Sequence, residues 1–233
     1  MNLKAIAVVV SALVATVLAA QPAASSEGQP NPADFVSGVS NPWFPLKPGT
    51  TFVYRGMKDG KPARDVVTVT QKTKLIDGVR TTAVSDRLYL GGRLGERTTD
   101  WYAQDKKGNV WYFGEDTAEL DKSGRVRSRE GSWQSGVNGA QPGILMPDRP
   151  RVGQSFRQEY FKGHAEDHFK VLSLSASVQV PYTSSKHALL TKEWTPLEPD
   201  VIDHKLYVRG IGLVKEQTIK GGQERAVLMS VQR

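Results

Sequence analysis

The sequence contains no cysteine, so disulfides, thiolate nucleophiles and thiolate metal ligands are all excluded. Stability must come from an ordinary packed core, for which the chain is long enough. The short signatures of common chemistries are missing too. No G-x-S-x-G or S-x-x-K segment presents an activated serine. No D-x-D-x-D-G calcium loop occurs, and "GIGLVK" lacks the third glycine and the following helix of a phosphate cradle. Histidine is scarce, with 4 residues. Beyond residue 20 no segment keeps a helical apolar period for three turns.

The chain begins with the features of an export signal. Lys4, the apolar "AIAVVVSALVATVLAA" and a small-residue cleavage point near Ala19 or Ala20 predict a signal peptide over residues 1–20. That stretch is short for a membrane span, and "QPAASSEGQPNP" follows at once, so no transmembrane segment is expected in the mature chain. The expected location is periplasmic or extracellular. Without Lys4, 30 basic side chains face 24 acidic ones, a surplus that favours anionic partners weakly. Nucleic acid is not an expected partner in that compartment.

Residues 21–45 read as a linker or N-terminal strap, and 46–233 as one β domain. From Pro48 onward, short runs alternate apolar and polar residues between glycine turns such as "KDGK", "IDGV", "LGGR", "DKKGN" and "KGGQ". This spacing predicts sequential antiparallel hairpins. About a dozen strands in one all-β domain should close into a single antiparallel barrel or a strongly curved half-barrel sheet, because open edges invite aggregation. Residues 131–150, "GSWQSGVNGAQPGILMPDRP", are expected to form a long Gly/Pro-rich loop. Its apolar trio, Ile144, Leu145 and Met146, suits a plug.

The clearest hairpin is "DWYAQDKKGNVWYFGED", residues 100–116. Pairing Asp105 with Asn109 puts Trp101, Ala103, Trp111 and Phe113 on one side. Asp100, Tyr102 and Gln104 then share the other with Val110, Tyr112 and Gly114. One reading makes these a core face and a wet face. The other makes them an aromatic wall with polar groups that orient a ligand.

Together "NPWFPLKPGTTFVYRG", this hairpin, "GAQPGILMP", "QEYFKGHAED" and "YVRGIGLVKE" resemble a group of exported bacterial β-rich proteins of uncharacterised function. The closing "YVRGIGLVK" is also similar to an element of bacterial lipoprotein-type half-barrels that hold lipids. The resemblance implies an exported β protein and carries no activity with it. Ala165, Glu166 and Asp167 belong to it, whereas His164 and His168 stand outside it.

Three functional readings follow. The leading one is a non-catalytic exported binding protein whose curved sheet holds a small apolar or amphipathic ligand. Trp101, Trp111, Phe113 and Trp133 would give wall or plug contacts, and Tyr102, Tyr112 and Glu166 polar anchors. The second is a metal-binding protein or metal-dependent hydrolase. Strand alternation would carry His164, Glu166, His168 and Lys170 inward in one row with Leu172, Leu174, Ala176 and Val178. Glu166 and His168, about 7 Å apart along such a strand, could grip a divalent ion with a third donor from His204, Asp203, Glu193 or Glu159. No other cofactor is expected. The third reading is an envelope-interaction module in which Arg125, Arg127 and Arg129 form a stripe that meets an anionic surface. Asp100, Glu115, Glu159, Glu166 and Asp167 also sit near the ends of predicted strands, where two could serve as acid and base, oxygen-rich loops could hold calcium, or the acids could simply bond turns.

Overall fold

A computed structural model describes residues 30–233. The predicted signal peptide and residues 21–29 of the strap lie outside the described residues. The first element described is a 3-10 turn, Pro32–Asp34, and the side chain of Asn31 accepts a hydrogen bond from the Ala33 amide at 3.0 Å. Sixteen strands follow. They are β1 (Phe35–Val36), β2 (Thr51–Lys58), β3 (Lys61–Ile76), β4 (Val79–Leu90), β5 (Arg93–Asp105), β6 (Val110–Leu120), β7 (Val126–Ser128) and β8 (Trp133–Gln134). Then come β9 (Gln141–Met146), β10 (Ser155–Arg157), β11 (Glu159–Tyr160), β12 (His168–Gln179), β13 (Ser184–Trp194), β14 (Ile202–Val208), β15 (Gly212–Lys220) and β16 (Arg225–Gln232).

Two meanders meet where β16 pairs antiparallel with β2, and the hydrogen-bonded path runs β10-β12-β13-β14-β15-β16-β2-β3-β4-β5-β6-β9-β11. The sheet is a nearly closed antiparallel barrel with one unsealed seam. Its end strands, β10 and β11, are joined through Gln158 alone. The chain therefore crosses the seam covalently, and buried Gln158 donates its amide to the Asp167 carbonyl at 2.7 Å. β10 pairs with the His168–Lys170 end of β12, which shortens the open edge that would otherwise template aggregation.

The main core lies inside the barrel, with Phe52, Val69, Val84, Val110, Met146, Phe169 and Val171 among its buried members. A second cluster sits on the opposite face of the β5–β6 hairpin, where Trp101, Ala103, Trp111 and Phe113 pack with Ile76, Val79 and Ile144. The strap covers it. Phe35 meets Trp111 and Phe113 edge-to-face at 6.1 and 5.5 Å. Farther along, Trp43 and Asn41 are buried, and the Asn41 amide donates to the carbonyls of Gly108 (2.8 Å) and Pro147 (3.2 Å).

The β5–β6 turn forms as the sequence predicts. Asp105 pairs with Asn109, and Gly108 takes φ 90. Asp105 accepts from the Asn109 amide N (2.9 Å), Asn109 Nδ2 (2.8 Å) and Trp111 Nε1 (3.0 Å). Replacing Asp105 with alanine strands a buried indole N–H and unties the turn. It is expected to cost about 2–3 kcal/mol, read as a lower urea midpoint at unchanged m-value.

Two sequence expectations need correction. Residues 131–150 do not form a free loop or plug: Gln141–Met146 is a wall strand, paired with β6 and β11. Its glycine content hid it. A Cβ on Gly143 would lie 2.2 Å from the Arg157 carbonyl oxygen, so glycine is what lets the seam strands approach. Nor do the even-numbered side chains from 164 to 180 point inward together. Phe169 and Val171 are the buried positions, and irregularities between Val171 and Val178 shift the phase, so that Val178 and Val180 face inward while Leu174 is 37% exposed.

Candidate functional site

The concave face of the barrel is not fully packed. A cavity of about 250 Å³ lies between Phe44, Phe52, Leu145 and Leu213, with Tyr102 and Tyr207 also in its wall. A second hollow of about 190 Å³ continues from it toward Lys58 and Glu224. Tyr54, Asp65, Asp86, Glu216 and Ala226 line both. A larger, open surface depression of about 630 Å³ beyond the Lys58–Glu224 pair (3.9 Å) is polar and lacks the aromatic wall.

Strand alternation explains the polar groups. Asp65 is in phase with Val67 and Val69 on β3, Asp86 with Val84 and Leu88 on β4, and Lys205 with Tyr207 on β14. Each is an ionisable side chain in an inward row. Lys205 Nζ reaches Glu193 at 2.8 Å and Glu216 at 3.5 Å, and the Tyr207 hydroxyl donates to Glu193 at 3.3 Å. Burial works against charge on Lys205, but these two carboxylates hold its proton well above the ordinary range.

On β5 and β6, Tyr102 and Tyr112 stack at 4.8 Å, and the Tyr112 hydroxyl donates to Asp100 Oδ1 at 2.8 Å. Asp100 pairs with Glu115, not with Gly114 as simple alternation predicts, because the register shifts between the Asp100 and Tyr102 pairs. The shift brings Glu115 to the face that carries Asp100 and Tyr112. Burial lifts Asp100 to about 6, although its tyrosine hydrogen bonds oppose the change. Burial, then Asp100 and Glu159, pushes Glu115 up to about 9. Glu159 rises to about 8 through burial and the charge of Asp167. Asp86 is raised by burial and by the Asp65 carboxyl beside it. Asp100, Glu115 and Glu159 thus lie near one another, with Asp167 beside Glu159, whereas Glu166 stays outside, its Oε1 accepting from the Gly163 amide at 2.7 Å.

The expected ligand wall divides. Tyr102 lines the cavity, and Tyr112 backs it. Trp101, Trp111 and Phe113 lie on the far side of the sheet in the second core cluster, where Lys74 Nζ sits 3.5 Å from the Trp101 ring centroid. Trp133 is buried edge-to-face against Tyr112 at 5.4 Å. Its Nε1 lies near Glu159 and eases that carboxyl's burden slightly, yet neither Trp133 Nε1 nor Glu159 Oε2 completes a regular hydrogen bond.

The expected metal ligands do not come together. His164 stacks on Phe161 at 4.4 Å in an exposed turn, Glu166 holds that turn, and His168 stacks on Trp194 at 5.5 Å on the outer face. Desolvation and nearby Arg157 lower the His168 pKa, with Glu166 opposing. Among the described residues no group of three or more histidine and acidic side chains is placed to hold a metal ion. The arginine stripe is balanced as well. Arg125 pairs with Asp121, Arg127 with Glu119 and Arg129 with Asp116, at 3.4, 2.6 and 2.6 Å. These exposed pairs add little stability but cancel the stripe's charge.

Sequence reasoning missed Phe44, Asp65, Asp86, Lys205 and Glu216. The available signal was a charged side chain in the apolar row of an otherwise regular strand, as in "ARDVVTV" and "AVSDRLYL".

No family model matches the chain, and no curated protein is similar enough to count as a relative. Two solved structures are similar to the chain over most of its length. One, from Bacteroides fragilis, is described as an exported protein with a YmcC-like fold; it is 14% identical, covers 82% of this chain and 99% of its own, and gives a TM-score of 0.47. The other, from Parabacteroides distasonis, is described as a lipoprotein; it is 11% identical, covers 82% and 98%, and gives 0.43. Likenesses at this level carry nothing about ligand or activity. Among the described residues no helix is long and apolar enough to cross a membrane.

Proposed function

We propose that this chain is an exported, non-catalytic binding protein that holds a small apolar or amphipathic molecule inside its barrel. Export rests on the signal peptide read over residues 1–20. The observation that carries the binding reading is the cavity of about 250 Å³, whose aromatic and aliphatic wall is interrupted by a few converging polar groups. Ligand sites have this composition. Tyr102 and Asp100 serve as polar anchors, and Phe44, Phe52 and Leu213 as the apolar wall.

Ala226 faces both hollows, so Ala226→Phe fills the space without adding a polar group. Native mass spectrometry of purified wild-type protein should show a retained small molecule, or uptake from a lipid and metabolite extract. The Ala226→Phe protein should be folded by circular dichroism and take up nothing. Equal uptake by both proteins would place the ligand elsewhere and defeat the proposal.

A further inference from the structure

Resting on that pocket reading, we propose that the bound molecule carries a protonated amine, its N–H groups among Asp65, Asp86 and Asp100 and its apolar part against Phe44, Phe52 and Leu213. The charge inventory of the cavity is one-sided. Four carboxyl groups line it, those of Asp65, Asp86, Asp100 and Glu216, and among the described residues its one cation is Lys205. Lys205 is already engaged by Glu193 and Glu216. Three aspartates are left without a cation. The nearest other basic groups, Arg55, Lys58 and Arg225, border the outer hollow, where Lys58 is paired with Glu224. Arg87, next to Asp86, spends its guanidinium on the backbone carbonyls of Asp86 and Thr98.

One acceptor atom reinforces the imbalance. Asp65 Oδ1 is buried with no hydrogen-bond partner among the described residues. A carboxyl oxygen that carries no proton accepts hydrogen bonds, so the missing partner is a donor. A buried acceptor left unmade is costly, and an ammonium supplies three donors and the compensating charge together. Tyr102 and Phe44, packed edge-to-face at 5.3 Å, put aromatic rings in the same cavity wall. Carboxylate, phosphate and sulfate head groups would meet like charge instead. A quaternary ammonium would satisfy the charge but not the orphan acceptor.

The test uses three probes alike in length and ring: 3-phenylpropylamine, 3-phenylpropanol and 3-phenylpropanoate. Each is titrated into the full mature protein at neutral pH and followed by calorimetry and saturation-transfer NMR. The amine should bind about tenfold or more tightly than the alcohol, and the acid most weakly. Asp65→Asn and Asp100→Asn keep side-chain shape and should each reduce amine affinity several-fold, a larger loss than either causes for the alcohol. Ala226→Phe should abolish amine binding, which separates the cavity from surface acids. If the alcohol or the acid binds as tightly as the amine, the amine inference is overturned while the pocket reading stands. Binding of none of the three overturns both. The wild-type comparison needs no variant, so it remains decisive even where an Asn variant misfolds.

Discussion

Gly114→Ala is expected to destabilise the protein by about 4 kcal/mol or more, enough to lower the melting temperature by roughly 10 °C. Gly114 takes φ 129, a conformation that side-chain-bearing residues rarely adopt. A Cβ there would also lie 2.3 Å from the Trp133 carbonyl oxygen and 2.8 Å from Gln134 Cα. Both obstacles are backbone, so no rotamer change relieves them. The position also sets the register of the site, because the irregularity there turns Glu115 toward Asp100. Gly124→Ala is the matched control. Its φ is 80, but a Cβ there meets nothing within 4 Å. That variant should lose only about 1 kcal/mol, the conformational part of the penalty. Urea unfolding of both proteins measures the difference, and equal losses would show that the β8 backbone is not the constraint at Gly114.

Acidification from pH 9 to pH 5 is expected to stabilise the folded protein, with a rise of roughly 5 °C or more in melting temperature. The direction follows from the interior carboxyls. Asp100, Glu159 and Glu115 titrate at about 6, 8 and 9 in the folded chain, against about 4 in the unfolded one. The native state therefore binds more protons than the unfolded state throughout this window. Its advantage is complete below the unfolded values and is lost as pH rises through 6, 8 and 9 in turn. Burial is the first cause in each case, so removing one ionisable group should flatten the profile. Glu115→Gln is expected to raise stability at pH 9 and to reduce the slope between pH 7 and 9. Calorimetric scans across that range give both quantities, and a wild-type melting temperature that climbs toward alkaline pH would contradict the assigned titrations.

Much of the architecture was legible because local chemistry is repeated. Glycine turns spaced between alternating runs predict sequential hairpins, and Thr51–Lys58 and Val79–Leu90 fall where that pattern puts them. The Asp105 turn was readable because a short acidic side chain and Gly108 satisfy it within five residues. Where reading failed, phase was lost. The irregularities in β12 moved His168 and Lys170 outward beside Trp194 and Lys192 while Phe169 and Val171 turned in. A single extra residue reverses every later side chain, and nothing in "HFKVLSLSASVQ" marks where it is inserted.

The sequence by itself determined an all-β chain of antiparallel hairpins, a core without disulfides and the aromatic pairing of β5 with β6. These follow from residue type, strand period and turn chemistry, which act over a few neighbours. Only the tertiary structure decided that Trp101, Trp111 and Phe113 lie beneath the strap while Tyr102 lines the cavity. It also decided that Asp65, Asp86, Asp100 and Glu216, drawn from four different strands, share one concave wall with Lys205. Closure brings together side chains more than a hundred residues apart, and the charge balance of an interior depends on that sum rather than on any stretch of the chain.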